Sequence, residues 1–182
     1  MSDVGHTERK TQNRIINLFQ DQLHYEYLGN WQDREDNQAI EENYLSAYLT
    51  KCGYSKDIIK KAVFELKRTA YVQNKSLYDV NKEIYSLLRY GLKIKPDLSE
   101  NSLTVELIDW KYPENNHFAI AEEVTVSGKH NKRPDLVIYV NGIAIGVIEL
   151  KRSTVSVAEG IRQNIDSQKP EFIQHFFQLC SL

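Results

Sequence analysis

Cysteine, a usual ligand of zinc, is scarce in this chain of 182 residues. The only cysteines are Cys52 and Cys180, which are too few for a disulfide framework and too far apart for a paired metal motif. The five histidines show no metal-ligand spacing either. This composition argues against a disulfide scaffold or a zinc site, and it fits the reducing cytoplasm, where we expect the protein to reside.

Long apolar runs and a nucleotide-binding loop are also missing. No stretch reaches the length needed to span a bilayer, and residues 1–10 lack the apolar core of a signal peptide, so we expect no membrane association. The sequence contains no Gly-x-x-x-x-Gly-Lys-Ser/Thr loop. ATP binding of that type is therefore not expected in this chain.

The chain also lacks an excess of positive charge, since its formal net charge is -2. Any contact with nucleic acid must then use a local patch. Residues 129–133 (KHNKR) are the best candidate, although a solvated loop explains them equally well. The acidic segment 33–42 would repel a phosphate backbone and is expected to face solvent or a protein partner.

Length and a hydrophobic content of 41% indicate one globular domain over residues 1–182. Its first part, 1–95, has a helical pattern, and its second part, 96–182, has a mixed one. Hydrophobic periodicity and capping signals predict a set of helices and strands. The predicted helices cover 11–28, 55–66, 76–91, 157–166 and 171–179, and the predicted strands cover 103–108 and 120–126.

The most informative segment is 134–151, PDLVIYVNGIAIGVIELK, in which two apolar runs flank Asn141-Gly142. Asn-Gly is the strongest short-range signal for a tight hairpin. Folding the chain there returns the end of the second run to the start of the first. We therefore expect Asp135 to lie near Glu149.

The charges at this end of the hairpin point to a metal site. Side chains in a strand alternate between faces, so Glu149 and Lys151 share one face. Two carboxylates roughly 4 Å apart repel by up to about 4 kcal/mol at an effective dielectric near 20, which should raise the pKa of at least one of them. Mg²⁺ would remove this repulsion, because it accepts carboxylate and phosphate oxygens. Two acids and a lysine are what metal-assisted phosphodiester cleavage requires.

A simpler interpretation of these charges stays open. Asp135 could cap a turn, while Glu149 and Lys151 could form a surface pair at a strand end. We favour the metal site because the apolar run 143–148 predicts a buried strand, and charges at the end of a buried strand are uncommon.

The segment 118–177 resembles the PD-(D/E)xK nuclease core at the N-terminus of the R (restriction) subunit of type I restriction-modification enzymes. The similarity extends upstream through residues 7–14 (TERKTQNR), 27–31 (YLGNW) and 85–91 (YSLLRYG). Many nucleases share the hairpin motif, whereas the upstream segments point to this subunit. The resemblance implies an α/β fold, with a restriction-endonuclease-like mixed β-sheet flanked by helices and a helical N-terminal part.

The resemblance also implies roles for single residues. Asp135 and Glu149 would bind Mg²⁺, and Lys151 would act on the attacking water or the scissile phosphate. Glu8 is the candidate for a further metal-binding acid from the first helix. A glutamate favoured by the helix dipole explains that position equally well.

Members of this nuclease group carry a Gln-x-x-x-Tyr element on the helix after the lysine. The matching place here runs from Gln163 to Ser167. Gln163 would contact the metal shell or the DNA backbone, as a further catalytic residue. Ser167 stands where the tyrosine is expected.

The function implied by the resemblance is Mg²⁺-dependent cleavage of double-stranded DNA by a type I site-specific deoxyribonuclease. The methylation and specificity subunits of the restriction complex would be its partners, and ATP would be used only in the full-length subunit. Two alternatives keep the same fold: a module that binds DNA without cutting it, and a module that docks other subunits.

The family core continues past the last helix into another strand. We therefore expect the chain to be a fragment truncated at its C-terminus, with an exposed sheet edge or apolar helix face and a tendency to self-associate.

Overall fold

The computed structural model describes residues 4–72, 74–97, 101–151 and 157–179. The described part is a mixed α/β structure, which confirms the predicted fold class. The helices are α1 (Val4–Asp21), α2 (Glu42–Lys51), α3 (Lys56–Ala70), α4 (Leu77–Tyr90), α5 (Val157–Ser167) and α6 (Gln174–Phe177), with a 3₁₀ turn at Pro113–Asn115. The strands are β1 (Glu26–Asn30), β2 (Leu92–Ile94), β3 (Leu103–Val105), β4 (Phe118–Glu122), β5 (Leu136–Val140) and β6 (Ile143–Ile148).

Four strands form the main sheet in the order β1-β4-β5-β6. β1 runs parallel to β4, whereas the β4-β5 and β5-β6 pairs are antiparallel. β2 and β3 form a separate antiparallel pair. The sheet is therefore mixed, as the resemblance implied.

Helices cover both faces of the main sheet. Ile120 of β4 and Leu136 of β5 are buried against Ile16 of α1. Their neighbours Ala119 and Val137 belong to the larger core, to which α2, α3 and α4 contribute. This division follows from the alternation of side chains along a strand, because both faces of β4 and β5 are apolar.

The tight turn between β5 and β6 is confirmed at Asn141 and Gly142, whose φ values are 51° and 80°. Positive φ at both central residues is what the favoured two-residue hairpin turn needs. Asn141 is buried, and its side chain accepts from the His117 N–H at 2.7 Å and donates to the Leu107 carbonyl at 2.9 Å. Gly142 packs against the start of α2, where an added Cβ would lie 2.6 Å from the Glu41 carbonyl oxygen. The hairpin is thus fixed from its turn end.

The predicted starts of the helices at Ser55 and Ser76 are also confirmed, whereas the first helix begins at Val4 and not at residue 11. Ser55 and Ser76 precede α3 and α4, and their hydroxyl groups accept from the N–H groups of Ile58 and Asp79. Such caps satisfy N–H groups that lack a partner within the helix. Gly91, with φ 77°, ends α4.

The predicted helix over 11–28 is wrong beyond its first two thirds. α1 ends at Asp21, His24 has a positive φ of 57°, and residues 26–30 form β1. β1 is a strand because it pairs with β4, in register from Glu26 opposite Ala119, a partner more than ninety residues away along the chain. Apolar spacing within the segment could not reveal that partner.

Two predicted strands are shorter than expected. β4 ends at Glu122 because Glu123 has a φ of 52°, which interrupts an extended strand, and Val126 forms only an isolated bridge with Lys132. β3 ends at Val105. In the segment 171–179, only residues 174–177 are helical.

β6 is the last strand of the described sheet on its side. Its first residues are covered by an isolated bridge between Ile40 and Ile143 and by the Ala144 N–H, which donates to the Ala39 carbonyl. On α5, Ile161 and Ile165 are each 56% exposed.

Within the described ranges, no helix combines the length and apolarity needed to traverse a bilayer.

Replacing Gly142 by alanine tests the packing of the turn. The change should lower the free energy of unfolding by about 3 kcal/mol, because it adds a steric overlap to the cost of a positive φ. Gly53 is the matched control, since its φ is 87° and an added Cβ would have no neighbour within 4 Å. Gly53→Ala should cost only about 1 kcal/mol. Urea unfolding gives both values, and equal losses would contradict the proposed overlap.

Candidate active site

The β5-β6 hairpin brings Asp135 and Glu149 to the same end of the sheet. Leu136 pairs with Ile148, so the next residues outward, Asp135 and Glu149, lie opposite each other. The Leu150 N–H donates to Asp135 Oδ2 at 2.5 Å and closes this end of the hairpin. The expected approach of the two acids is therefore present.

Lys151 lies beside Glu149, with its Nζ 3.6 Å from Glu149 Oε2. The two side chains are only 26% and 16% exposed, respectively. They line a cleft of about 310 Å³ together with Gly160, Ile161 and Asn164 of α5. Gly160 lets α5 approach, because a Cβ there would be 3.1 Å from Lys151 Cγ. Glu149 and Lys151 thus lie at a cleft beside α5, and Asp135 lies opposite Glu149 on the neighbouring strand.

The electrostatics of the cleft are unfavourable for a second negative charge. Burial first, and then the charge of Asp135, raise the pKa of Glu149 to about 7, while Lys151 and Lys132 act in the opposite direction. A strongly perturbed carboxyl in a cleft is typical of functional sites. In the absence of a bound cation, Glu149 is therefore about half protonated at neutral pH.

The donor set fits a magnesium ion. No group of three or more histidine, cysteine, aspartate or glutamate side chains is arranged to hold a metal within the described part of the chain. Mg²⁺ commonly takes only one or two carboxylates from a protein and keeps several waters. Asp135 and Glu149 can supply that number, and the ion would offset the charge of two carboxylates whose burial and mutual repulsion raise the pKa of Glu149.

The remaining predicted site residues have different outcomes. The side chains of Glu8 and Gln163 lie outside the described part of the structure; the backbone of both residues is helical, in α1 and α5. Ser167, where the resemblance implies a tyrosine, is buried at the end of α5 with 4% exposure.

One residue of the basic run 129–133, Lys132, lies near enough to the cleft for its charge to act on Glu149. Lys132 is fixed by paired backbone bonds with Val126, and its Nζ lies 4.3 Å from the centre of the Phe172 ring. Its charge is also among the influences that lower the pKa of Glu149. Arg133, by contrast, is paired with Glu123 at 2.8 Å. Proximity to the acids thus distinguishes Lys132 from an ordinary loop lysine.

The loop that carries this run is fastened to the segment after α5. The His130 N–H donates to the Glu171 carbonyl at 3.1 Å. Gly128 lies so close to this segment that an added Cβ would be 2.4 Å from the Phe172 carbonyl oxygen. Only glycine permits this approach without a shift of the backbone.

Sequence reasoning missed a third acid, Glu122, at the end of the sheet where Asp135 and Glu149 lie. Glu122, the last residue of β4, is 2% exposed. Its carboxylate accepts from both terminal nitrogens of Arg9, at 2.9 and 3.0 Å. It also accepts from Gln12 at 3.0 Å, from the Tyr27 hydroxyl at 2.8 Å and from Asn30 at 3.3 Å. The signal was an acid closing an apolar run, FAIAE, as Glu149 closes the run in the hairpin.

Comparison with known proteins places the fold in a family. A mixed sheet with helices on both faces is consistent with a nuclease-like α/β domain. The model of the family described as type I restriction enzyme R protein N terminus matches residues 5–182. The chain belongs to this family.

Individual relatives carry matching names. The MjaVIIIP endonuclease subunit of Methanocaldococcus jannaschii, whose name assigns it provisionally to the type I restriction enzymes, is 38% identical over 74 residues, covering 39% of this chain and 7% of the relative. The type I restriction enzyme SsaAORF53P endonuclease subunit of Staphylococcus saprophyticus is 28% identical over 86 residues, covering 47% of this chain and 9% of the relative. The matched regions thus span less than a tenth of these curated relatives.

The raised pKa of Glu149 predicts how the metal-free protein responds to pH. Between the ordinary value of 4.5 and about 7, the unfolded chain loses this proton while the folded protein retains it. The free energy of unfolding should therefore fall as the pH rises through that window. Glu149→Gln should remove this dependence and stabilise the metal-free protein at pH 8 by up to about 3 kcal/mol, since one pKa unit corresponds to about 1.4 kcal/mol.

Urea unfolding at pH 4.5 and pH 8, in the presence of a chelator, measures this effect. Glu65→Gln is a suitable control, because Glu65 lies on α3 and pairs with Arg68 at the surface. The control should show no gain at pH 8. A Glu149→Gln variant no more stable than the unmodified protein at pH 8 would contradict the repulsion between the two acids.

Proposed function

We propose that this chain is a Mg²⁺-dependent endonuclease domain that cleaves phosphodiester bonds of double-stranded DNA. The observation that carries the proposal is the approach of Asp135 and Lys151 to Glu149 at the edge of one cleft, with the pKa of Glu149 raised by burial and by Asp135. Holding two acids close together lowers the stability of the metal-free protein. A bound cation would offset their negative charge and restore that stability.

Asp135 and Glu149 would hold the ion, and Leu150 would orient Asp135 through its N–H. When bound, Mg²⁺ lowers the pKa of a coordinated water and polarises the phosphate. Lys151, 3.6 Å from Glu149, would stabilise negative charge that develops on the phosphate oxygens during attack. No covalent intermediate with the protein is required.

Two further residues are proposed for the same site. Glu8 lies one helical turn before Gln12, whose amide contacts the Asp135 carbonyl, so α1 runs past the acids and could add a third carboxylate. Gln163 lies on α5, whose residues Gly160 and Asn164 line the cleft. It would contact the metal shell or the DNA backbone.

Contact with DNA would use the basic run 129–133. Lys132 lies near both the acids and Phe172, and Lys129 is exposed in the same loop. Positive side chains beside a cleavage site neutralise phosphates and release counterions, which supplies affinity without reading sequence. The basic run offers such charge locally, although the whole chain is slightly acidic.

The assembly is proposed from the names of the relatives, which are endonuclease subunits of type I restriction enzymes. The chain would act within such a subunit, in the cytoplasm, together with methylation and specificity subunits. ATP would be used by parts of the subunit outside this chain. The acidic segment 33–42 is the surface at which we propose that charge reversal would weaken subunit docking.

Replacing Lys151 by alanine tests cleavage directly. In the complete restriction subunit, assembled with its partners and supplied with Mg²⁺ and ATP, Lys151→Ala should slow DNA cleavage roughly 100-fold or more. DNA affinity should change little, because the residue acts on the reacting phosphate.

The control for this test is Lys93→Ala. Lys93 is an exposed lysine on β2, outside the hairpin and outside the acidic segment 33–42. The control should cleave normally. Cleavage by Lys151→Ala at the unmodified rate would refute the nuclease assignment, and an unmodified assembly that binds DNA without Mg²⁺-dependent nicking would favour the non-cleaving alternative.

Replacing Lys132 by alanine tests the DNA contact. The variant should bind duplex DNA more weakly, and the slope of log affinity against log salt concentration should fall by roughly 1. Fluorescence anisotropy with a labelled duplex, without divalent metal, measures the slope. Lys93→Ala, an exposed lysine on β2, is the control and should leave it unchanged. Equal slopes for both variants would remove Lys132 from the interface.

A further inference from the structure

Gln12 occupies a buried position between three groups that surround the candidate metal site. The residue is 4% exposed, and its amide nitrogen lies 3.0 Å from Glu122 Oε2, 3.2 Å from Glu123 Oε1 and 3.5 Å from the main-chain oxygen of Asp135. Two N–H groups thus serve two carboxylates and the carbonyl of a proposed metal ligand. The position of the Gln12 side chain can therefore affect the position of the Asp135 backbone.

The anchor of this arrangement is Glu122. A buried carboxylate is costly unless charged and polar partners surround it. Arg9 and Gln12 of α1, together with Tyr27 and Asn30 of β1, supply the hydrogen bonds. Burial and then the bond to Glu122 raise the pKa of Tyr27 to about 12, so its hydroxyl stays a donor. Glu122 therefore fastens α1 and β1 to the end of β4.

Glu123 connects this anchor to Asp135. Its φ of 52° is unusual for a residue with a side chain, and such conformations persist only where the surroundings hold them. Gln12 at 3.2 Å and Arg133 at 2.8 Å hold its carboxylate. Its N–H then donates to the Asp135 carbonyl at 2.9 Å. The direct contact between Gln12 and Asp135 is long, so the stronger route from Gln12 to Asp135 runs through Glu123.

From this geometry we infer that Gln12 is a positioning residue that sets the backbone of Asp135 relative to Glu149 and so tunes the affinity of the site for a divalent cation. The inference rests on the proposed metal-dependent function. Gln12 itself would touch neither the metal nor DNA. Gln12 would act on the main-chain oxygen of Asp135, whereas the Leu150 N–H contacts the side-chain carboxylate of the same residue.

Two single substitutions separate positioning from mere stabilisation. Gln12→Met and Tyr27→Phe each remove one hydrogen bond from the same buried carboxylate, Glu122. Gln12→Met also removes the contacts with Glu123 and Asp135, whereas the hydroxyl of Tyr27 contacts Glu122 on the side of β1. Both variants should lose stability because each leaves Glu122 one donor short, but only Gln12→Met should change the metal site.

The probe is Mn²⁺, whose free concentration is followed by electron paramagnetic resonance during titration of the 182-residue chain, with Asp135→Asn marking the site. Gln12→Met should bind Mn²⁺ roughly 10-fold more weakly than the unmodified chain, the usual cost of losing a residue that orients a ligand. Tyr27→Phe should bind like the unmodified chain. Gln12→Asn, whose amide is one methylene shorter, should be weakened as well, and it serves if Gln12→Met does not fold.

The outcomes distinguish the two levels of the proposal. Binding by the unmodified chain that Asp135→Asn abolishes, but that Gln12→Met and Gln12→Asn leave unchanged or weaken no more than Tyr27→Phe, would overturn the positioning role alone. Absence of Mn²⁺ binding, or binding that Asp135→Asn does not alter, would overturn the metal site and the positioning role with it.

Discussion

The repulsion between two carboxylates at one end of a buried hairpin is the constraint on which the candidate site depends. The turn at Asn141-Gly142 pairs Val140 with Ile143, and an irregularity between Ile138 and Tyr139 then shifts the register by one residue, so that Asp135 comes to lie opposite Glu149. Burial is the larger cause of the raised pKa of Glu149 and the charge of Asp135 is the second, while the lysine at 3.6 Å offsets only part of their effect. A fold that retains such a pair gives up stability in the metal-free state, which is common where a site serves chemistry.

Glu122 and Glu149 show two ways of treating an acid at the end of an apolar strand. Glu122 is surrounded by donors from α1 and β1, including the two-pronged guanidinium of Arg9, and its charge is well satisfied. Glu149 has Lys151 beside it and a neighbouring acid, and it faces a cleft. The same sequence signal thus leads to a structural carboxylate in one strand and a candidate ligand in the other. The difference lies in the surrounding helices and strands, not in the strand itself.

Local signals in the sequence predicted the hairpin, its turn and the caps of α3 and α4, because each depends on residues a few positions apart. The same signals placed Asp135 near Glu149. They failed where distant partners decide the structure. Residues 26–30 become a strand through parallel pairing with β4, and the left-handed backbone at Glu123 ends β4 early. The donors around Glu122 come from α1 and β1, so no pattern near position 122 could identify them.

The close approach at Gly128 has a mechanical consequence. A backbone hydrogen bond and a close backbone contact join the loop bearing Lys132 to the Glu171–Phe172 backbone just beyond α5, so we expect the two segments to move together. Any widening of the cleft that displaces this segment also carries the ammonium group of Lys132 along. Opening for a bulky duplex and repositioning of a phosphate anchor are therefore coupled in a single movement, and a bulkier residue at position 128 would uncouple them.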